Sequence, residues 1–246
     1  MAHDHHNHDH QHGDHQHEDH QHGDHQHGDH QHGGNQHGNP RDRELKAIVR
    51  YLKIAPRMWR SEVNDAVVDI IDPRPGETVI DIGAGMGPGV MRAAASGAEV
   101  LAIDPTPFMR TVMNGRRWFS RRRKSIRVLD GAVEALPAGD HQVHALWSVN
   151  TMHHWSSVAD GAVEIARVLA PGGRIVLVDE DFSDPRHPNS EEWHKRHGED
   201  SHHGFSMVDA SEMGDLMTGA GLVDVVAEQR DMAGRPVIAV TASGAN

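Results

Sequence analysis

Residues 79–90 read Val79-Ile80-Asp81-Ile82-Gly83-Ala84-Gly85-Met86-Gly87-Pro88-Gly89-Val90. A short β-branched run carries one acid, glycine then occupies every second position from 83 to 89, and Val90 to Ala95 reads as the start of a helix. A buried strand, a glycine-dense turn and a helix N-terminus make a place where a ligand can approach the backbone closely. The nicotinamide dinucleotide fingerprint would set its third glycine at position 88, and that position is Pro88. What stands here is G-x-G-x-G with an acid two residues before the first glycine. Taken alone, such a turn could serve another nucleotide, or none.

The acid and glycine spacing resembles motif I of the class I S-adenosylmethionine (SAM) methyltransferases. That resemblance implies an α/β fold: a Rossmann-like, seven-stranded sheet with helices on both faces, and SAM as cofactor. It further implies that Asp81, Gly83, Ala84, Gly85 and Gly87 hold the methionine part. The second hydrophobic run, Glu99–Ile103, ends at Asp104-Pro105, twenty-one residues after Gly83. An acid at that place can accept hydrogen bonds from ribose hydroxyls, and it can equally cap a helix.

The third run, Ile126–Leu129, leads into Asp130-Gly131-Ala132-Val133-Glu134-Ala135-Leu136-Pro137. This is similar to the family's G-D-A-x-x-L-P loop, with Ala132 where the acid that contacts adenine usually stands. Either Asp130 compensates, or backbone groups at Ala132 and Val133 carry adenine recognition. The fourth run, Val143–Val149, includes Ser148, which the resemblance places among the cofactor residues. It is followed by Asn150-Thr151-Met152-His153-His154-Trp155, similar to the S-x-x-x-L-H-H-W ending of many small-molecule methyltransferases. In such sheets ligands sit beyond the carboxyl ends of the strands, so His153 and His154 are the candidate general bases for a hydroxyl acceptor. A purely structural role for the pair is the competing reading. The stretch 166–180, ARVLAPGGRIVLVDE, resembles the family's post-cofactor motif, with a strand over Arg174–Val178.

Elsewhere the reading is coarser. Apolar spacing predicts helices around Leu45–Leu52 and Val63–Ile71, then 108–124, Val158–Leu169 and Asp209–Ala220, and closing strands at Val223–Glu228 and Pro236–Thr241. Tyr51, Met58 and Trp59 could line a pocket or belong to the core. A basic run (Arg110, Arg116, Arg117, Arg121, Arg122, Arg123, Lys124, Arg127) could steer a phosphate, a carboxylate or nucleic acid, but helical spacing scatters it around its segment. The segment 179–206 carries Asp179, Glu180, Asp181, His187, His194, His197, His202 and His203. It reads as a solvated lid, with a divalent-metal site as the alternative.

The N-terminus is a separate matter. Residues 1–39 contain no Lys or Arg, and Asp-His-Gln-His-Gly recurs with a period of five from Asp9 to Asp29. Fifteen histidines lie within 1–37. With almost nothing apolar to bury, 1–39 reads as a disordered tail, and 40–246 as one methyltransferase domain. Imidazoles at His10, His12, His15, His17, His20, His22, His25, His27, His30 and His32 suit Ni²⁺, Zn²⁺ or Cu²⁺ with little geometric selectivity. Seven of the chain's twelve net negative charges come from this tail, and the rest of the chain is not basic enough for a general nucleic-acid binder. There are no cysteines, no run long enough to span a membrane and no apolar leader, so a cytoplasmic protein is expected.

The sequence therefore predicts methyl transfer to a small-molecule acceptor, with a hydroxyl favoured. No Asn/Asp-Pro-Pro-Tyr follows the fourth strand, as amino methylation of DNA would require. Two other readings stay open: a metal-handling protein whose methyltransferase body is secondary or inactive, and an RNA or protein methyltransferase using the 116–127 basic run. Oligomeric state is not legible.

Overall fold

A computed structural model describes residues 61–187, 190–191 and 209–246. The first described helix, α1 (Glu62–Ile71), starts where the Ser61 hydroxyl accepts from the Asn64 N–H at 3.2 Å. Its Val63, Val67 and Ile71 fall on one buried face. It ends with Asp72 in the left-handed region, ahead of Pro73. The chain then enters β1 (Thr78–Ile82), α2 (Pro88–Ala95), β2 (Glu99–Ile103), α3 (Pro107–Phe119), β3 (Ile126–Leu129) and β4 (Val143–Val149). After a short 3₁₀ turn at Met152–His154 come α4 (Val158–Val168), β5 (Leu169–Glu180), α5 (Ala210–Gly219), β6 (Val223–Met232) and β7 (Arg235–Ser243).

The seven strands form one sheet in the order β3-β2-β1-β4-β5-β7-β6. β1 pairs in parallel with β2 on one side and β4 on the other, so the order reverses between them. β7 runs antiparallel to both β5 and β6. Helices cover both faces, and for that reason the parallel strands read as continuous apolar runs rather than alternating ones. Side chains still divide by period two. Val79, Val100, Ala145, Trp147 and Val176 face one core with α1 and α2, while Ile80, Leu101, Leu146, Ile175 and Leu177 face another with α4 and α5. The expected seven-stranded, Rossmann-like architecture is thus present, including the antiparallel closing pair.

Several boundaries differ from the sequence reading. α3 ends at Phe119, not 124, because Ser120 is extended and a 3₁₀ turn at Arg123–Ser125 follows. β5 begins at Leu169, where it pairs with Val143, and the Pro171-Gly172-Gly173 turn is accommodated as a register shift inside the strand. β6 and β7 extend to Met232 and Arg235, joined by Ala233 and Gly234 at φ 51° and 73°. Two positive φ values in a two-residue loop suit the right-handed twist of a hairpin. The expected helix at Leu45–Leu52, the pocket candidates Tyr51, Met58 and Trp59, and the tail with its histidines lie outside the described residues.

Candidate functional site

β1 delivers Asp81 and then the glycine turn. Gly83 has φ 65°, and a β-carbon there would stand 2.8 Å from Thr151 Cβ and closer still to its Cγ2. The turn is therefore pressed against the chain leaving β4. Gly85 donates its N–H to Asp104 Oδ2 at 2.8 Å, and Asp104 Oδ1 accepts from the Thr106 N–H at 2.8 Å. The acid that ends β2 thus fixes the glycine turn on one side and the entry to α3 on the other. Arg110 supports this corner, donating to the Asp104 carbonyl at 2.8 Å and to Asp130 Oδ1 at 2.7 Å.

Asp81 is 2% exposed, and its Oδ2 has no hydrogen-bond partner among the described residues. Trp147 Nε1 is likewise without one. Both atoms, with Asn64 Oδ1, converge on Gly89: a β-carbon there would meet them at 3.1, 2.9 and 3.2 Å. Burial pushes the Asp81 carboxyl well above the usual carboxylate range. The nearby indole, close but poorly aligned for a hydrogen bond, offsets this in part, and the charge of Asp104 adds to it.

The imidazoles come from the turn after β4. Asn150 takes φ 55°, and the 3₁₀ turn then presents His153 and His154. His153 Nδ1 lies 2.8 and 3.0 Å from the two oxygens of Asp179 on β5, and the His153 backbone N–H donates to Asp179 Oδ2 at 2.9 Å. Its ring centroid is 4.0 Å from that of His154. Burial, then the neighbouring His153, hold the His154 pKa below its usual value, with Asp179 opposing. Burial thus favours the neutral form of this imidazole. Ser148 is fully buried in β4 and hydrogen-bonds the Thr151 hydroxyl, which also accepts from Trp155 Nε1 at 3.3 Å.

A cavity of about 700 Å³ opens beyond the carboxyl ends of β1, β2 and β4. Its walls bring together Asp81, Gly83, Ala84, Gly85, Asp104 and His154 from the predicted set. The other predicted residues stand behind or beside it. Gly87 caps α2, Pro105 is exposed next to Asp104, and Asp130 is held by Arg110. Gly131 packs on Ile103 and Pro137, Ala132 bridges to Ala135, and Val133 is buried against Gly161. His153 is turned onto Asp179. The sequence reading did not find Ser61, Glu62, Val63 and Asn64 at the start of α1, Met86 and Met109, Asn150 and Thr151, or Ala233 and Arg235 of the hairpin.

The basic run is partly consumed by the fold itself. Besides Arg110, Arg116 donates to the Met86 carbonyl, and Arg117 donates to the Arg123 carbonyl at 3.1 Å. Among the described residues no group of three His, Asp or Glu side chains could hold a metal ion. Of the acids that open the 179–206 segment, Asp179 and Glu180 still belong to β5; Asp179 serves His153, and His187 Nε2 meets Glu180 Oε2 at 3.0 Å. His194, His197, His202 and His203 lie outside the described residues. No described helix is long and apolar enough to cross a membrane.

Comparisons with known proteins agree with this geometry. Residues 80–177 match the family described as a methyltransferase domain. An uncharacterized methyltransferase of Mycobacterium bovis is 35% identical over 111 residues, covering 45% of this chain and 43% of the relative. A demethylmenaquinone methyltransferase of Beutenbergia cavernae is 33% identical over 129 residues, covering 52% and 49%. The chain thus spans less than half the length of these curated relatives. A SAM-dependent methyltransferase structure from Aquifex aeolicus superposes with a TM-score of 0.58 at 21% identity, over 73% of this chain and 88% of that one. Residues 80–177 thus match a methyltransferase domain, and they lie within a Rossmann-like seven-stranded fold.

Proposed function

We propose that this chain transfers a methyl group from SAM to a small-molecule acceptor, and that the acceptor atom is a hydroxyl oxygen. The observation that carries the reading is the cavity whose lining brings together Asp81, the Gly83–Gly85 turn, Asp104 and His154. The residues fit the group. Asp81 Oδ2 is a buried acceptor without a partner, suited to the cationic amino-acid end, and the space over Gly89 exists only because that residue has no side chain. Asp104 keeps lone pairs beyond its two backbone bonds for ribose hydroxyls. Pro105 and residues 130–133 flank the adenine end, and Ser148 braces Thr151 against the glycine turn.

When bound, SAM supplies an electrophilic methyl carbon on a sulfonium. The residues of this chain then have three tasks. The turn and Asp104 fix the donor's direction, which makes an in-line approach intramolecular in effect. The apolar walls from Val63, Met86 and Met109 keep water out. His154, neutral and facing the cavity, takes the proton from the attacking hydroxyl, while Asp179 holds His153 behind it.

We read residues 40–246 as the catalytic unit and 1–39 as a separate segment that collects Ni²⁺, Zn²⁺ or Cu²⁺ through its repeated histidines. The support is the five-residue His/Asp repeat itself. The internal hydrogen bonds of Arg110, Arg116 and Arg117 favour a small acceptor over RNA, and the chain is read as cytoplasmic.

Calorimetry of SAM against the full chain and against a chain beginning at Pro40, each with and without Ni²⁺ or Zn²⁺, tests both parts. Micromolar SAM binding by both, unmoved by metal, supports the methyltransferase and leaves the tail independent. No SAM binding by either, with tight metal binding by the full chain alone, refutes it in favour of metal handling. The relative named as a demethylmenaquinone methyltransferase makes a carbon acceptor the competing chemistry. The NMR shift of a ¹³C-labelled transferred methyl separates an ether from a carbon–carbon product.

A further inference from the structure

The cavity is lined by three acids, Glu62, Asp81 and Asp104, and by one cation among the described residues, Arg235. Asp81 and Asp104 stand at β1 and β2. Elsewhere the wall includes the exit of β4 and the β6–β7 hairpin, with Asn150, His154, Ala233 and Arg235. Neighbouring strands are about 4.8 Å apart, so β7 is about 10 Å from β4 and about 19 Å from β2 across the sheet.

Arg235 is the one Lys or Arg among the described residues lining the cavity. It sits at the first position of β7, paired with Met232 across the two-residue turn. Its side chain is 65% exposed, and its ion pair to Glu180 Oε1 is long, at 3.5 Å. Its guanidinium makes no hydrogen bond among the described residues. Glu180 is already committed, to His187 through Oε2 and to Asn150 Nδ2 at 3.3 Å through Oε1. A planar fork of five donors therefore borders the cavity with one long ion pair and no hydrogen bond among the described residues, an arrangement that can pair with a planar or tetrahedral oxyanion. The acids at the donor end suit a cationic sulfonium and ammonium, so an anion placed at the hairpin end avoids them.

We propose that Arg235 selects acceptors that carry an oxyanion, a carboxylate or a phosphate, in addition to the hydroxyl that is methylated. The proposal rests on the methyl-transfer reading above for the position of that hydroxyl, beside His154. The oxyanion is a handle and does not react.

The test uses full-length protein saturated with S-adenosylhomocysteine and titrated by calorimetry with 4-hydroxycinnamate, its uncharged amide, and 4-hydroxyphenyl phosphate. Methyl transfer from labelled SAM to the same three probes is measured alongside. At least one oxyanion should bind about tenfold or more tightly than the amide. Arg235→Gln should abolish that preference while retaining SAM affinity and the thermal midpoint, and Arg235→Lys should keep part of it. Preference between carboxylate and phosphate identifies which group the site takes. Equal binding of amide and oxyanions, a preference unchanged in Arg235→Gln, or no binding of either oxyanion overturns the proposal. Arg235-dependent binding without transfer leaves the anion site standing and refutes hydroxyl methylation. Transfer to the amide alone does the reverse.

Discussion

Replacing Gly83 by alanine perturbs the site at its tightest point. The residue has φ 65°, a conformation that costs an L residue about 1–2 kcal/mol. The new β-carbon would also lie 2.8 Å from Thr151 Cβ and nearer still to Cγ2. Overpacking of this kind costs about 1–3 kcal/mol, because Thr151 is held by Ser148 and Trp155 and cannot easily retreat. The sum, about 2–5 kcal/mol, corresponds to a fall in thermal midpoint of about 5–15 °C for a domain of this size. Urea unfolding of Gly83→Ala, Thr151→Ser and the double variant measures it. Thr151→Ser removes the nearest carbon and keeps the hydroxyl, so the double variant should recover about 1 kcal/mol. A SAM titration of Gly83→Ala should show at least about tenfold weaker binding. A Gly83→Ala protein within about 0.5 kcal/mol of wild type, or strictly additive changes, would refute the reasoning.

Three further outcomes are expected. The Asp81 carboxyl titrates well above its unfolded value of about 3.9, so between those two pH values the folded ligand-free protein holds the proton more tightly and its stability falls as pH rises. Asp81→Asn should flatten that slope in urea melts while weakening SAM binding, and an unchanged slope would contradict the burial argument. Arg174 donates to the Ile71 and Asp72 carbonyls at 2.9 and 3.1 Å and to Glu77 at 2.7 and 3.1 Å, so Arg174→Ala, which leaves these acceptors unpaired, should cost about 2–4 kcal/mol by chemical denaturation. Because His154 must be neutral to accept a proton and its pKa is depressed by burial, transfer should stay high as pH falls to 6.5 and decline only below it; His154→Ala should lower kcat about 10²–10⁴-fold, and a pH profile unaltered by that change would exclude it as the base.

The donor side of the site was legible because its chemistry is compressed into short stretches. Asp81 through Gly87 is one strand and one turn, and the spacing to Asp104 follows from the length of a helix and the next strand. The His153-His154 pair was visible too, but which imidazole meets the cavity depends on Asp179, twenty-six residues later and one strand across. Asn64 and Glu62 were hidden in an ordinary helix start, since only packing brings the N-terminus of α1 over Gly89. Arg235 gave no signal. The stretch Gln229–Asp231 lacks apolar alternation and fell outside the expected strand, yet it pairs with β7 through the backbone. Ala233-Gly234 is not the Asn-Gly that marks such a turn in sequence.

The family match stops at residue 177, inside β5, and the hairpin that brings Arg235 to the cavity begins only at Val223. On the proposed reading, donor handling and acceptor choice fall in consecutive stretches of the chain. On that reading the first part can stay unchanged while the second drifts, because the hairpin joins the sheet at its far edge, paired with β5 and with neither β1 nor β2. A swap of residues 223–243 between two such proteins should therefore move acceptor preference with the hairpin and leave donor affinity behind, which makes this edge the natural place to re-engineer what the enzyme marks.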